Sequence, residues 1–81
     1  MGGFNTRVEY GGETFIVQTQ DKGLGARYVE SLIYRSGRLL ASKRASYAAF
    51  AAEPDLADRI ERMMGEQHKA ILGQIVEGRF V

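Results

Sequence analysis

The sequence contains no cysteine, one proline and one histidine in 81 residues. Without cysteine it can form no disulfide, thiolate nucleophile or cysteine-ligated metal cluster, and this composition favours a reducing compartment. It also has no apolar run of the roughly 18 to 20 residues that a membrane span needs, and its first residues lack the pattern of a signal peptide. We therefore expect a cytoplasmic protein with no membrane partner.

A large excess of one charge is also missing. Eleven basic and ten acidic side chains leave a net charge of +1, and the apolar share of 44% is ordinary for a folded protein. The length fits one small domain, so the sequence predicts a single domain over residues 1–81, with a sheet over 4–47, a linker over 48–53 and a helix over 54–77.

Alternation of apolar and polar residues predicts four strands. The first two, at 4–10 and 13–20, flank Gly11 and Gly12, which can both adopt positive φ in a two-residue turn. The next two, at 27–35 and 38–47, flank Ser36 and Gly37. The sequence does not settle which side of the fourth strand is buried.

The C-terminal third predicts one long helix. Pro54 suits a first helical position, Gly78 suits a C-cap, and apolar residues between them recur at spacings of three and four. Gly65 weakens this helix and leaves a bend open. The fold class is therefore α+β, a four-stranded antiparallel meander followed by one helix laid across a face, in the order ββββα.

The predicted helix is longer than the predicted strands, so its apolar stripe is expected to extend beyond the sheet. An identical subunit is the simplest cover for such a stripe, although core packing under the sheet also accounts for it. We therefore expect a homodimer, with these residues at the protein interface: Ile60, Met63, Met64, Gln67, His68, Ile71 and Ile75.

The sequence offers little catalytic chemistry. His68 has no second ligand at metal-binding spacing, so we interpret it as a helix-face or interface residue rather than a ligand or general base. The glycine-containing segment 21–26 leads into a strand, whereas phosphate-binding loops lead into a helix. We therefore interpret this segment as a turn. We expect no enzymatic activity, no catalytic or metal-binding residue and no cofactor.

Charge is distributed unevenly along the chain. Residues 1–52 carry seven basic and four acidic side chains, a balance of +3, while 53–81 carry four and six, a balance of −2. The second hairpin concentrates the basic residues that could contact nucleic acid or another anion: Arg35, Arg38, Lys43 and Arg44. The alternatives are a protected edge strand or pairing with the acidic helix of a neighbouring subunit.

Segments 15–23, 34–47 and 64–69 together resemble a small uncharacterised bacterial domain, mainly deltaproteobacterial, with no assigned activity. The resemblance covers most of the chain and implies a bacterial cytoplasmic module with a binding role, but it transfers no functional residue. The order ββββα is also similar to that of the PUR-type nucleic-acid-binding repeat, a likeness of architecture alone.

The function predicted from these observations is a non-enzymatic protein-interaction or adaptor module. We expect it to bind itself as a homodimer and to bind an unidentified protein partner. The alternative is a small nucleic-acid-binding protein that uses the basic second hairpin.

Overall fold

Two β-hairpins joined in series form one antiparallel sheet, and a helix packs across one of its faces. The computed structural model describes residues 3–80 and contains the strands β1 (Phe4–Tyr10), β2 (Glu13–Asp21), β3 (Tyr28–Arg35) and β4 (Arg38–Ser46) and the helix α1 (Leu56–Val76). The strands lie in the order β1-β2-β3-β4, each antiparallel to its neighbour. The α+β fold predicted as ββββα is therefore confirmed.

The ends of several elements differ from the sequence prediction by one or two residues. Arg27 lies before β3 rather than in it, because its φ of 62° is left-handed and cannot continue a strand. Tyr47 leaves β4 and precedes a short 3₁₀ helix, Ala48–Phe50, inside the predicted linker. The long helix begins at Leu56 and ends at Val76, inside the predicted range of 54–77.

Both hairpins close through two residues with positive φ. Gly11 and Gly12 have φ values of 61° and 80°, and Ser36 and Gly37 have values of 50° and 84°. This geometry matches the right-handed twist of the flanking strands, which is why glycine is favoured here. Because the four strands alternate in direction along the sheet, the β1–β2 turn and the β3–β4 turn lie at the same end of the sheet.

One face of the sheet forms the core with α1. Alternate residues of β2 and β3 have no exposed surface and face the helix, among them Phe15, Val17 and Ile33. They form one apolar cluster with Ile71 and Ile75 of α1. A second cluster, nearer the start of the helix, consists of Val29, Tyr47, Ile60 and Met64.

The helix is continuous through Gly65, where the sequence left a bend open. It packs on β1, β2 and β3, while β4 forms one outer edge of the sheet and β1 forms the other. The opposite face of the sheet carries no helix within the described residues 3–80.

Candidate functional site

The apolar stripe of α1 is covered by the chain's own sheet. Among its predicted interface residues, Met63 and Gln67 are partly exposed, whereas five are buried: Ile60, Met64, His68, Ile71 and Ile75. The stripe spans residues 60–75, about 22 Å at 1.5 Å per residue, and strands of seven to nine residues reach about 23 to 30 Å. The prediction that these side chains form a dimer contact is therefore corrected for the five buried residues, because they form the core of a single chain.

A row of polar side chains crosses the core between the two apolar clusters. His68 Nε2 lies 2.8 Å from Thr6 Oγ1, and His68 Nδ1 lies 2.8 Å from Thr19 Oγ1. Thr19 Oγ1 is 2.6 Å from Ser31 Oγ, which accepts a hydrogen bond of 2.8 Å from Gln67 Nε2. We refer to these five residues as the polar layer.

The polar layer links the helix to every strand of the sheet. Thr6, Thr19 and Ser31 belong to β1, β2 and β3, and the Gln67 amide also donates to the backbone carbonyl of Lys43 on β4 at 3.4 Å. Hydrogen bonds require defined positions, whereas apolar contacts tolerate small shifts. The layer therefore fixes where α1 sits along the sheet.

Burial determines the protonation of the layer. His68 is only 5% exposed, and the ring of Phe4 lies over it with a centroid separation of 5.5 Å. Desolvation lowers the pKa of His68 below its ordinary value, which favours the neutral ring. A neutral imidazole donates from one nitrogen and accepts at the other, and the two threonine hydroxyls can rotate to serve either tautomer.

The same burial limits what the layer can do chemically. Thr19 and Ser31 have no exposed surface, so a substrate cannot reach their hydroxyls. No carboxylate hydrogen-bonds to His68 in the described chain, and residues 3–80 contain no group of three or more His, Cys, Asp or Glu side chains able to hold a metal ion. The hydrogen bonds of the layer position the helix against the strands of the sheet.

Sequence reasoning identified His68 but not its partners. Thr6, Thr19 and Ser31 occupy inward positions in the middle of the strands, next to apolar inward residues such as Val8, Val17 and Ile33. Thr19 and Ser31 also pair directly across β2 and β3. Polar residues at inward positions were the available signal, since a buried hydroxyl needs a partner.

The basic residues of the second hairpin do not form one surface. Arg35 lies 3.4 Å from Glu13, and Arg44 donates to Glu30 at 2.9 Å. The hydrogen bond to Glu30 raises the pKa of Arg44, whose guanidinium also lies over the ring of Tyr28 at 4.8 Å. Two of the four predicted anion-binding side chains are therefore already paired with carboxylates.

Arg38 and Lys43 form no ion pair within residues 3–80. Lys43 lies opposite Ser31, on the helix side of the sheet, whereas Arg44 lies opposite Glu30 on the other side. Neighbouring residues of a strand point to opposite faces. Arg38 lies opposite Arg35, and the two line a cavity of about 220 Å³ at the turn end of the hairpin, so the four cations are not gathered on one surface.

The face of the sheet opposite α1, which we call the open face, carries an apolar patch. Ile16 pairs with Tyr34, and Tyr34 pairs with Leu39 across the next strand pair. Leu32 lies two residues from Tyr34 on the same face. We refer to Ile16, Leu32, Tyr34 and Leu39 as the apolar patch; the first three are partly exposed and Leu39 is 57% exposed.

A β-bulge lies at one side of this patch. The register between β3 and β4 shifts at Ile33/Tyr34, because Ala41 pairs with Ile33 while Leu39 pairs with Tyr34. Leu40 is the extra residue and is 37% exposed. The bulge allows β4 to pack Ala41 against the core on the helix side and still present Leu39 on the open face.

The 21–26 segment is a turn with several internal hydrogen bonds. Asp21 Oδ1 accepts from the Gly23 amide at 2.9 Å and from the Tyr47 hydroxyl at 2.6 Å. Burial, followed by the hydrogen bond to Asp21, raises the pKa of Tyr47 to about 12. The turn holds Leu24, which is 63% exposed, beside a cavity of about 210 Å³ between the loop and the first half of α1.

The described part of the chain has no helix with the length and apolar character of a membrane span. No protein family, curated protein or solved structure matches the chain. The resemblance of segments 15–23, 34–47 and 64–69 to a bacterial domain therefore stays a prediction.

Proposed function

We propose that this chain is a non-enzymatic protein-interaction module that forms a homodimer through its open face. The observation that carries the proposal is the apolar patch on a sheet face that no other element covers within residues 3–80. The apolar stripe of α1, by contrast, is buried in the chain's own core.

The charges of the open face support a second copy as the occupant. Arg7 pairs with Glu9 at 3.1 Å, and Arg44 pairs with Glu30 at 2.9 Å. All four residues occupy outward positions, and Lys22 also lies 3.9 Å from Glu30, so the charges of this face are largely compensated, with an excess of one cation. Such a face repels its own copy only weakly, and it lacks the row of cations that attracts a nucleic-acid backbone.

The size of the domain supports self-association as well. A domain of about 80 residues buries only about 60 to 65% of the surface that its unfolded chain exposes, and its stability is correspondingly marginal. Covering the apolar patch would add buried apolar area at about 25 cal/mol per Å². We place the module in the cytoplasm because a chain without cysteine needs no oxidising compartment to fold.

Sedimentation analysis of three proteins tests the proposal. The parent protein is expected to be dimeric at about 100 μM, and dissociation on dilution should follow mass action. Leu39→Asp places a charge in the patch and is expected to give a folded monomer. Val76→Asp is the matched control, because Val76 is 55% exposed on α1, outside the open face.

The outcomes distinguish the surfaces. A folded Leu39→Asp monomer beside a dimeric Val76→Asp variant supports the open face as the contact. A parent protein that is monomeric at this concentration contradicts the proposal. A dimer that Val76→Asp disrupts and Leu39→Asp leaves intact would move the contact to the helix.

A further inference from the structure

The outer edge of β4 is an unpaired strand edge bordered by cations. β4 (Arg38–Ser46) pairs only with β3 within the described residues, so alternate backbone N–H and C=O groups along its other side have no strand partner. Arg38, Lys43 and Arg44 lie on this strand. We propose that this edge binds an acidic peptide in extended conformation, which adds to the sheet as a fifth strand.

The charges at the edge define the partner. Arg38 and Lys43 have no carboxylate partner within residues 3–80 and occupy register positions on the helix side, while Arg44 lies on the open face beside Glu30. Residues 31–52 contain no acidic side chain. An added strand with acidic side chains on its helix-side face would therefore meet Lys43, and ladder hydrogen bonds would supply the affinity.

A second copy of the same edge is disfavoured by the same charges. Antiparallel pairing of two β4 strands about Ser42 would make the two Lys43 side chains diagonal neighbours on one face, with Arg38 and Arg44 of both copies along the same seam. Like charges held this close repel one another. The β1 edge differs, because its Arg7 is paired with Glu9 at 3.1 Å, and it serves as a neutral strand edge within the same sheet.

The bulge at Leu40 determines which part of the edge can accept a strand. The irregular pairing lies at Ile33/Tyr34, and the pairing from Ala41 to Ser46 is regular. A bulge and charged side chains also protect an edge from aggregation. If the bulge and the cations serve only to protect the edge, no peptide strand will bind there. If they recognise a partner, basic and neutral strands will be excluded and an acidic strand will bind.

The experiment is a nuclear magnetic resonance titration of the isotope-labelled full chain with synthetic peptides. The probe alternates glutamate and valine. One control peptide alternates lysine and valine, and a second keeps the glutamates but is N-methylated at alternate amides, so that it cannot complete a ladder. A thymidine oligonucleotide of similar charge tests the nucleic-acid alternative.

The glutamate–valine peptide is expected to shift the amide signals of residues 41–46 and to slow their hydrogen exchange, with little effect on β1. The N-methylated peptide and the lysine peptide are expected to bind at least about tenfold more weakly. Lys43→Glu should weaken binding by a similar factor. Lys69→Glu, the same change on an exposed position of α1, should not.

Several results would overturn the proposal. Absence of binding at about 1 mM of the glutamate–valine peptide would exclude a binding site for acidic peptides at this edge. Equal binding of the N-methylated peptide would show contact through charge without strand addition. Equal binding to the β1 edge, or tighter binding of the oligonucleotide to residues 41–46, would assign the edge a different role.

Discussion

His68 on α1 and Thr19 on β2 are joined by a hydrogen bond of 2.8 Å between Nδ1 and Oγ1, at the level where the two apolar clusters of the core meet. Every buried side-chain nitrogen and oxygen in the described part of the chain has a partner. Sliding the helix along the sheet would separate His68 from both Thr6 and Thr19 and leave its buried ring without a partner, which is costly. This contact therefore specifies the position of the helix more tightly than the surrounding apolar side chains do.

Thr19→Val tests the polar layer with little change in side-chain volume. It removes one of the two side-chain partners of His68 and one of the two of Ser31, and we expect the free energy of unfolding to fall by about 2 to 3 kcal/mol because two buried polar groups lose a hydrogen bond. Urea denaturation measures the loss. Thr14→Val is the control, because Thr14 is partly exposed on the same strand. Equal small effects of both substitutions would contradict a structural role for the layer.

His68 also predicts how stability depends on pH. Its pKa in the folded protein is lowered from 6.5, so between that lowered value and 6.5 the unfolded chain binds more protons than the folded one. The parent protein should therefore lose stability relative to His68→Gln as the pH falls below 6.5. Urea denaturation of both proteins at neutral and mildly acidic pH measures this difference. A relative gain on acidification would show that the folded protein favours the protonated ring.

The sequence predicted the strands, the turns and the helix because periodicity and turn glycines are local properties. It left open whether the sheet or a second subunit covers the helix stripe, since that depends on where the stripe begins and on how the strands align beneath it. The position of Thr19 opposite Ser31 is likewise a matter of strand register, which alternation within one strand does not specify. The pairing of Arg44 with Glu30 required the same knowledge of register.

Ile71→Ala tests the assignment of the helix stripe to the core. Ile71 is 1% exposed and packs in the cluster that contains Phe15 and Ile33. We expect a loss of about 2 to 5 kcal/mol in the free energy of unfolding, because truncation leaves a cavity. Val76→Ala, at a site that is 55% exposed, should cost much less. Comparable losses in thermal or urea unfolding would argue against this packing.

Tyr47→Phe tests the contact that holds the end of β4 to β2. Loss of the 2.6 Å hydrogen bond to Asp21 should cost about 1.5 to 3 kcal/mol, since the acceptor is a carboxylate. Because folding raises the pKa of Tyr47 from 10 to about 12, the parent also loses stability as the pH rises through that interval. The phenylalanine variant should lack this dependence. Ultraviolet titration and alkaline unfolding check both statements, and an ordinary tyrosine titration in the folded parent would refute them.

The homodimer through the open face is the central claim, and intermolecular paramagnetic relaxation tests it most directly. The sequence contains no cysteine, so Gln20→Cys places one nitroxide label at the rim of the open face and Glu61→Cys places one on the exposed side of α1. Each labelled protein is mixed with the isotope-labelled parent chain. The Gln20→Cys label is predicted to broaden amide signals of the partner's β2 and β3 while the Glu61→Cys label does not. Broadening from the Glu61→Cys label alone, or from neither label, would contradict the account.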